Sequence, residues 1–248
     1  MRIALWQGPS PGGDIGAAFA AIDHALAVGS AAGADFVVMP ELFLPGYGQE
    51  RMDADPDWPA RLSAAAAHAD TGLVCGLAEA GEQGTENVAR VYDADGASLA
   101  RYAKVQLFGA RERRLFTAGT APVSFTHAGL KIGVIICYDA EFPEVIRHHA
   151  RAGADLILCP TANPEPFDTV SRFMIPAQSA QNGLSIAYAN FCGEEGDVTY
   201  TGRSIITGPD GEPLAMAGLH PAILIADIPA RADPRLRLLS TQLEDLVP

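Results

Sequence analysis

Apolar residues along the chain fall into short unbroken runs that stop at Pro, Cys or a polar residue. IALWQ near the start, FVVMP at 36–40, GVIIC at 133–137 and LILCP at 156–160 are of strand length, and their lack of alternation marks strands buried on both faces. Between the first two, Ile15, Phe19, Ile22 and Leu26 recur at the helical period and predict a helix near Asp14–Ala31 with one buried face. Between the second two, Pro143 suits a first helical turn and predicts a helix reaching Ala152. The phrase Ala-Gly-Ala-Asp, followed by four apolar residues and Pro, occurs at 32–40 and again at 152–160. Both units read as βαβ.

Hairpin signals lie between and after these units. They are Asp95-Gly96 between VARVY and SLARYA, His127 to Gly129 ahead of a strand predicted over Lys131–Ile136, and Pro209-Asp210-Gly211 between RSIIT and PLAMA. A helix predicted over Asp168–Gln181, kinked at Pro176, leads into the strand LSIAYAN. Two βαβ units with interleaved hairpins predict an α/β fold of four layers, an α-β-β-α sandwich. One domain is expected over 1–248, with the residues beyond Ala230 a charged tail or an arm on a partner subunit.

Composition narrows the function classes. With 48% apolar residues in 248, the chain can bury a large core. A net charge of −13 disfavours nucleic acid or an anionic membrane as partner, and the one basic cluster, Arg111, Arg113 and Arg114, is interrupted by Glu112. Cysteines at 75, 137, 159 and 192, without CxxC spacing, argue against a disulfide framework and a zinc site. No segment reads as a signal peptide or approaches membrane-spanning length. A reduced, cytoplasmic protein without a metal is the expectation.

Open α/β sheets gather chemistry at the carboxyl ends of strands, which directs attention to Glu41, Cys137 and the run Thr161-Ala162-Asn163. Cys137 stands where a buried strand turns into a helix, so its sulfur can project from the sheet edge toward outward N–H groups that favour thiolate. The plain alternative is a small buried hydrophobe. A catalytic thiol needs a base, and no histidine occupies a strand end. A carboxylate is the better candidate, and Glu41 emerges from the core at one, where partial burial would raise its pKa. Tyr102 and Lys104 share one strand face. Taken singly, Glu41 reads as a loop charge, Lys104 as a solvated lysine and Glu112 as half of a surface ion pair.

Taken together they read differently. PELFLPGY around Glu41, the K-x-x-L-F-x-x-x-E-x-x-x-F-x-x-G spacing from Lys104 to Gly119, and CYDAEFPE from Cys137 resemble the nitrilase, or carbon-nitrogen hydrolase, superfamily. The resemblance runs from IALWQ to IADIP near Pro229. From Cys137 onward, CPTANPEPFD, YANFCGEE, SIITGPDG and AMAG look most like bacterial aliphatic amidases of the 5-aminopentanamidase and R-stereoselective amidase group.

This resemblance implies the α-β-β-α sandwich, no cofactor, and hydrolysis of a small aliphatic amide with water through a thioester on Cys137. Glu41 would be general base and then acid. Lys104, with the N–H of Tyr138, would hold the oxyanion, and Glu112 would orient substrate and Lys104. Tyr47, Tyr138, Glu141, Asn163 and Phe167 are the candidate substrate contacts. Relatives of that group take amides bearing an amine, which makes Glu194, Glu195 and Asp197 candidate receivers of an ammonium beside the plainer reading of a solvated acidic loop. Pairing into a homodimer or small homo-oligomer is also implied. The chain departs from many relatives at Gln106, where they carry histidine, and at Gln178-Ser179-Ala180-Gln181-Asn182, where they read R-A-x-E-N. A nitrilase or N-carbamoyl amino acid hydrolase would use the same Glu-Lys-Cys triad, and a non-catalytic scaffold is the alternative from another class.

Overall fold

The computed structural model describes residues 1–230, 239–245 and 247, so the expected tail or arm beyond Ala230 lies largely outside the described residues. The first half contains β1 (Arg2–Gln7), α1 (Ile15–Ala31), β2 (Phe36–Val38), α2 (Trp58–Ala69), β3 (Gly72–Gly81), β4 (Gly84–Tyr92), β5 (Ser98–Ala103) and α3 (Gly109–Leu115). The second begins with β6 (Val123–His127), β7 (Leu130–Val134), a 3-10 turn (Cys137–Glu141), α4 (Pro143–Arg151), β8 (Leu156–Pro160), a π-turn (Val170–Met174), α5 (Ile175–Asn182) and β9 (Ser185–Ala189). It continues with β10 (Cys192–Glu195), β11 (Val198–Thr201), β12 (Ile205–Thr207), β13 (Pro213–Met216), β14 (Ala222–Asp227) and α6 (Gln242–Asp245).

Two six-stranded sheets result, ordered β14-β1-β2-β3-β4-β5 and β13-β12-β9-β8-β7-β6. Three apolar layers hold them. Ile3, Leu5, Phe36, Val38 and Val74 of the first sheet meet Ile132, Val134, Leu156, Leu158 and Ala187 of the second. The opposite face of the first sheet packs on Phe19, Ile22 and Leu26 of α1 and Leu62 of α2. That of the second packs on Ile146 of α4 and Ile175 of α5. The fold is the four-layer α-β-β-α sandwich, and each fully buried Leu, Ile or Phe in it contributes roughly 1.5–3 kcal/mol.

The repeated Ala-Gly-Ala-Asp phrase has one structural job in both places. Asp35 accepts the N–H of Arg2 at 2.6 Å, and the Arg2 guanidinium donates to the Ala32 carbonyl at 2.7 Å. In the second copy Asp155 accepts the N–H of Lys131 at 3.0 Å, and the Lys131 ammonium donates to Ala152 at 2.6 Å. Each phrase thus closes a helix C-terminus and pins the first residues of the neighbouring parallel strand.

Some boundaries differ from expectation. The strand predicted over Lys131–Ile136 spans Leu130–Val134, because the Asp139 carboxylate captures the N–H of Ile136 at 2.9 Å and turns the chain. Pro176 does not kink a long helix; it sits in the first turn of α5, which follows the π-turn, where its missing N–H costs no helical bond. No helix among the described residues is long and apolar enough to cross a membrane.

Candidate active site

The ends of β2 and β8 meet across the two sheets, where the N–H of Glu41 donates to the Thr161 carbonyl at 3.3 Å. Lys104 follows β5 and Glu112 lies in α3, and all three charged side chains are fully buried. The Lys104 ammonium donates to Glu41 Oε1 at 2.6 Å and to Glu112 Oε1 at 2.9 Å. Two carboxylates around one cation leave no buried charge without a partner. The solvated or surface readings of these residues, reasonable one at a time, do not hold.

Further donors fix each carboxylate. Glu41 Oε1 also accepts from Asn87 Nδ2 at 2.7 Å, while its Oε2 is buried with no hydrogen-bond partner. Glu112 Oε1 accepts from the Tyr47 hydroxyl at 2.8 Å, and Oε2 from the N–H of Phe108 at 2.8 Å. Burial raises the pKa of Glu41 above the ordinary carboxylate value, against the pull of Lys104. Burial alone would depress Lys104, but the surrounding negative groups, Glu41 foremost, hold its pKa well above the usual lysine value. These surroundings favour its charged form.

Cys137 opens the 3-10 turn with φ of 47°, a left-handed conformation that is unfavourable for a residue with a side chain and that gathers at functional sites. Asp139 over-determines this turn. Its Oδ2 accepts from the N–H of Ile136 at 2.9 Å and the Tyr102 hydroxyl at 2.8 Å, and its Oδ1 from the N–H of Gln106 at 2.9 Å. The same carboxylate therefore ties the cysteine turn to the segment after Lys104. We expect Asp139→Ala to lower stability by about 2–3 kcal/mol through orphaned donors and to depress kcat more than it alters KM. Denaturant unfolding and steady-state kinetics on the same preparation read both effects.

Burial pushes the Cys137 thiol well above its ordinary pKa and the Glu41 charge adds to this, outweighing Lys104 and an N–H from Ala162. The N–H of Ala162 does favour thiolate, as expected of such groups, but desolvation and the Glu41 charge outweigh it. A buried carboxylate close to the thiol can take its proton as the sulfur reacts.

A narrow pocket with about 10 Å³ of free space opens at Cys137, lined also by Tyr47, Phe108, Tyr138, Glu141, Ala162, Asn163, Pro164 and Phe167. All five residues expected to contact substrate are in this lining. Tyr138 packs edge-on against Phe142 and Phe108 at 4.9 and 5.1 Å, and Phe108 against Phe167 at 5.7 Å. The Asn163 amide donates to the Phe167 carbonyl at 2.9 Å, which shapes the wall. No histidine lines the pocket. His149, buried on α4, is kept neutral by desolvation, which lowers its pKa to about 4. Larger depressions, such as the one of about 230 Å³ beside Tyr102 and His149, contain none of the four charged and thiol groups.

Other sequence expectations fall elsewhere. Glu194 and Asp197 are exposed on the β10–β11 hairpin, and Glu195 is bonded to Tyr200 and Gln49. None of the three lines the pocket. Gln106 contributes its backbone N–H to the Asp139 clamp. Gln178, Ser179 and Asn182 are buried, with Asn182 bonded to the Gln178 carbonyl.

Residues 2–234 match the family described as Carbon-nitrogen hydrolase. The "Hydrolase in pqqF 5'region" of Pseudomonas protegens is 38% identical over all of this chain and 90% of the relative. An "(R)-stereoselective amidase" of a Pseudomonas species is 29% identical over 88% of this chain and 81% of the relative. A solved amidase mutant from Nesterenkonia sp. AN1, showing Michael addition of acrylamide at its active site cysteine, is 36% identical, with TM-score 0.88 over 95% of this chain and 96% of that one. Another mutant of that amidase, in complex with butyramide, is 34% identical, with TM-score 0.89 over 99% of this chain and 94% of that one. The chain belongs to the carbon-nitrogen hydrolase family of the nitrilase superfamily, and is an amidase-type enzyme.

Proposed function

We propose that the enzyme hydrolyses a small aliphatic amide through a thioester on Cys137. The observation that carries this reading is the free, buried Oε2 of Glu41, beside an Oε1 that already accepts from Lys104 and Asn87, in a centre where burial raises the pKa of the Cys137 thiol. Glu41 takes the thiol proton as sulfur attacks the carbonyl carbon, and Lys104 with the N–H of Tyr138 holds the oxyanion. The C–N bond breaks as Glu41 returns that proton to the nitrogen, and ammonia leaves. Water then gives its proton to Glu41 and attacks the thioester. The C–S bond breaks, the acid departs and the thiol recovers its proton. Glu112 holds Lys104 in place.

The narrow, aromatic lining favours a short acyl chain over a bulky one. Support comes from the acrylamide and butyramide structures of the Nesterenkonia amidase. Glu141, half-buried beside Tyr138 and Phe142, is the lining carboxylate that would accept a donor, such as an amine, at the far end of the substrate. A nitrilase or N-carbamoyl hydrolase would use the same groups, and product analysis separates them, since a carbamoylase releases carbon dioxide with ammonia.

Ammonia release from a panel of short amides is the direct test, and protein with intact Cys137 that cleaves no amide in it would refute the reading. A pH profile adds a second check. Glu41 must be ionised to act as base and its pKa is raised from 4.5, so kcat/KM is expected to fall on the acid side through an apparent value above 4.5. A profile flat to below pH 4.5 would remove Glu41 from that role.

A further inference from the structure

The acidic hairpin after Phe191, which the pocket does not use, does something else. Glu195 Oε2 accepts from the Tyr200 hydroxyl at 2.6 Å and its Oε1 from Gln49 Nε2 at 3.0 Å. Its carboxylate lies directly on the backbone of segment 46–49, so that a Cβ placed on Gly48 would stand 2.7 Å from the carboxylate carbon. On the other flank of this segment, Arg111 donates to the carbonyls of Tyr47 and Gln49, with its guanidinium 5.2 Å from the centre of the Tyr47 ring. Held between the two, Tyr47 reaches the same Glu112 oxygen that binds Lys104.

We propose that Glu195 is a positioning residue for the catalytic centre. By clasping segment 46–49 it fixes Tyr47, which keeps Glu112 and hence Lys104 in register with Cys137. The linkage runs from Tyr200 through Glu195 to Gln49, along the backbone of segment 46–49 bridged by Arg111, and from Tyr47 through Glu112 to Lys104, while Glu195 is not in the pocket lining. The proposal rests on the role given to Lys104 above. Because small displacements of a catalytic group are costly, loosening the clasp should lower kcat/KM by about tenfold to a hundredfold.

The test compares Glu195→Ala, Tyr47→Phe and their combination, measured for ammonia release from a short neutral amide alongside wild-type enzyme. Turnover by wild type decides the proposed function separately from the clasp. If the clasp acts through Tyr47, the double variant loses little more than the worse single variant, since both break one chain. Glu195→Gln, which retains an acceptor for one partner, should recover part of the loss, and Glu194→Ala and Asp197→Ala on the same hairpin should match wild type. Should Glu195→Ala fail to fold, Gly48→Ala provides the second route, because it pushes the carboxylate away while removing no polar group. Wild-type rates in Glu195→Ala, or in folded Gly48→Ala, would overturn the proposal, as would fully additive losses in the double variant.

Discussion

Replacing Cys137 by alanine should abolish ammonia release while leaving the protein folded. The substitution deletes one sulfur from a half-buried residue at the edge of the inter-sheet layer, and the turn it begins is held by Asp139, Tyr102 and Gln106 rather than by the thiol. Unfolding should therefore shift by no more than about 1–2 kcal/mol. Activity should fall by about four orders of magnitude or more, because the residual oxyanion site and base have no nucleophile to act on. Parallel thermal melts and ammonia assays distinguish this from a collapsed site, and intact mass of wild-type enzyme quenched during turnover should carry the acyl group on Cys137. A variant turning over at the wild-type rate would strip Cys137 of its role.

Lys104→Met should cost both catalysis and stability. Methionine fills the volume, but Glu41 and Glu112 are then left buried with no cation between them, and breaking such a pair costs about 3–5 kcal/mol. The loss should depend on pH in a defined direction. Without the pull of Lys104, the already raised pKa of buried Glu41 stands further above that of the unfolded chain, so the folded variant binds more protons and its stability falls as pH rises past the ordinary glutamate value. Urea unfolding at pH 4 and pH 8 would expose the trend as a smaller deficit against wild type at the lower pH. An equal deficit at both would mean that the carboxylates are not what the lysine neutralises.

Much of this centre could be read from sequence because its charged residues sit at strand ends in distinctive blocks. The repeated Ala-Gly-Ala-Asp units located β2 and β8, and with them Glu41 and Thr161. What could not be read were residues whose role depends on distant partners. Asn87 is an ordinary strand residue until β4 brings it under Glu41, and Asp139 looks like a helix-start acid until three donors converge on it. Helix α2, WPARLSAAAAHA, marks its buried face only with Trp58, Leu62 and Ala66, too faint a period to stand out. The β10–β11 hairpin was hidden by its own charge, since Glu194, Glu195 and Asp197 read as a solvated loop.

The matching strand orders of the two sheets give the molecule a pseudo-twofold relation with an unequal outcome. Aligning the two Ala-Gly-Ala-Asp phrases superposes Glu41 on Thr161, and the registers Ile3 with Phe36 and Ile132 with Leu156 superpose Gly8 on Cys137. Each half has kept one member of the pair: the first contributes the base where the second has a hydroxyl, and the second the nucleophile where the first has no side chain. A Cβ at Gly8 would meet the Trp6 ring at 2.3 Å, so the vacant counterpart is filled by packing. The symmetry therefore yields a single centre at the seam, and a chain divided between β5 and β6 could act only when its two halves dock again.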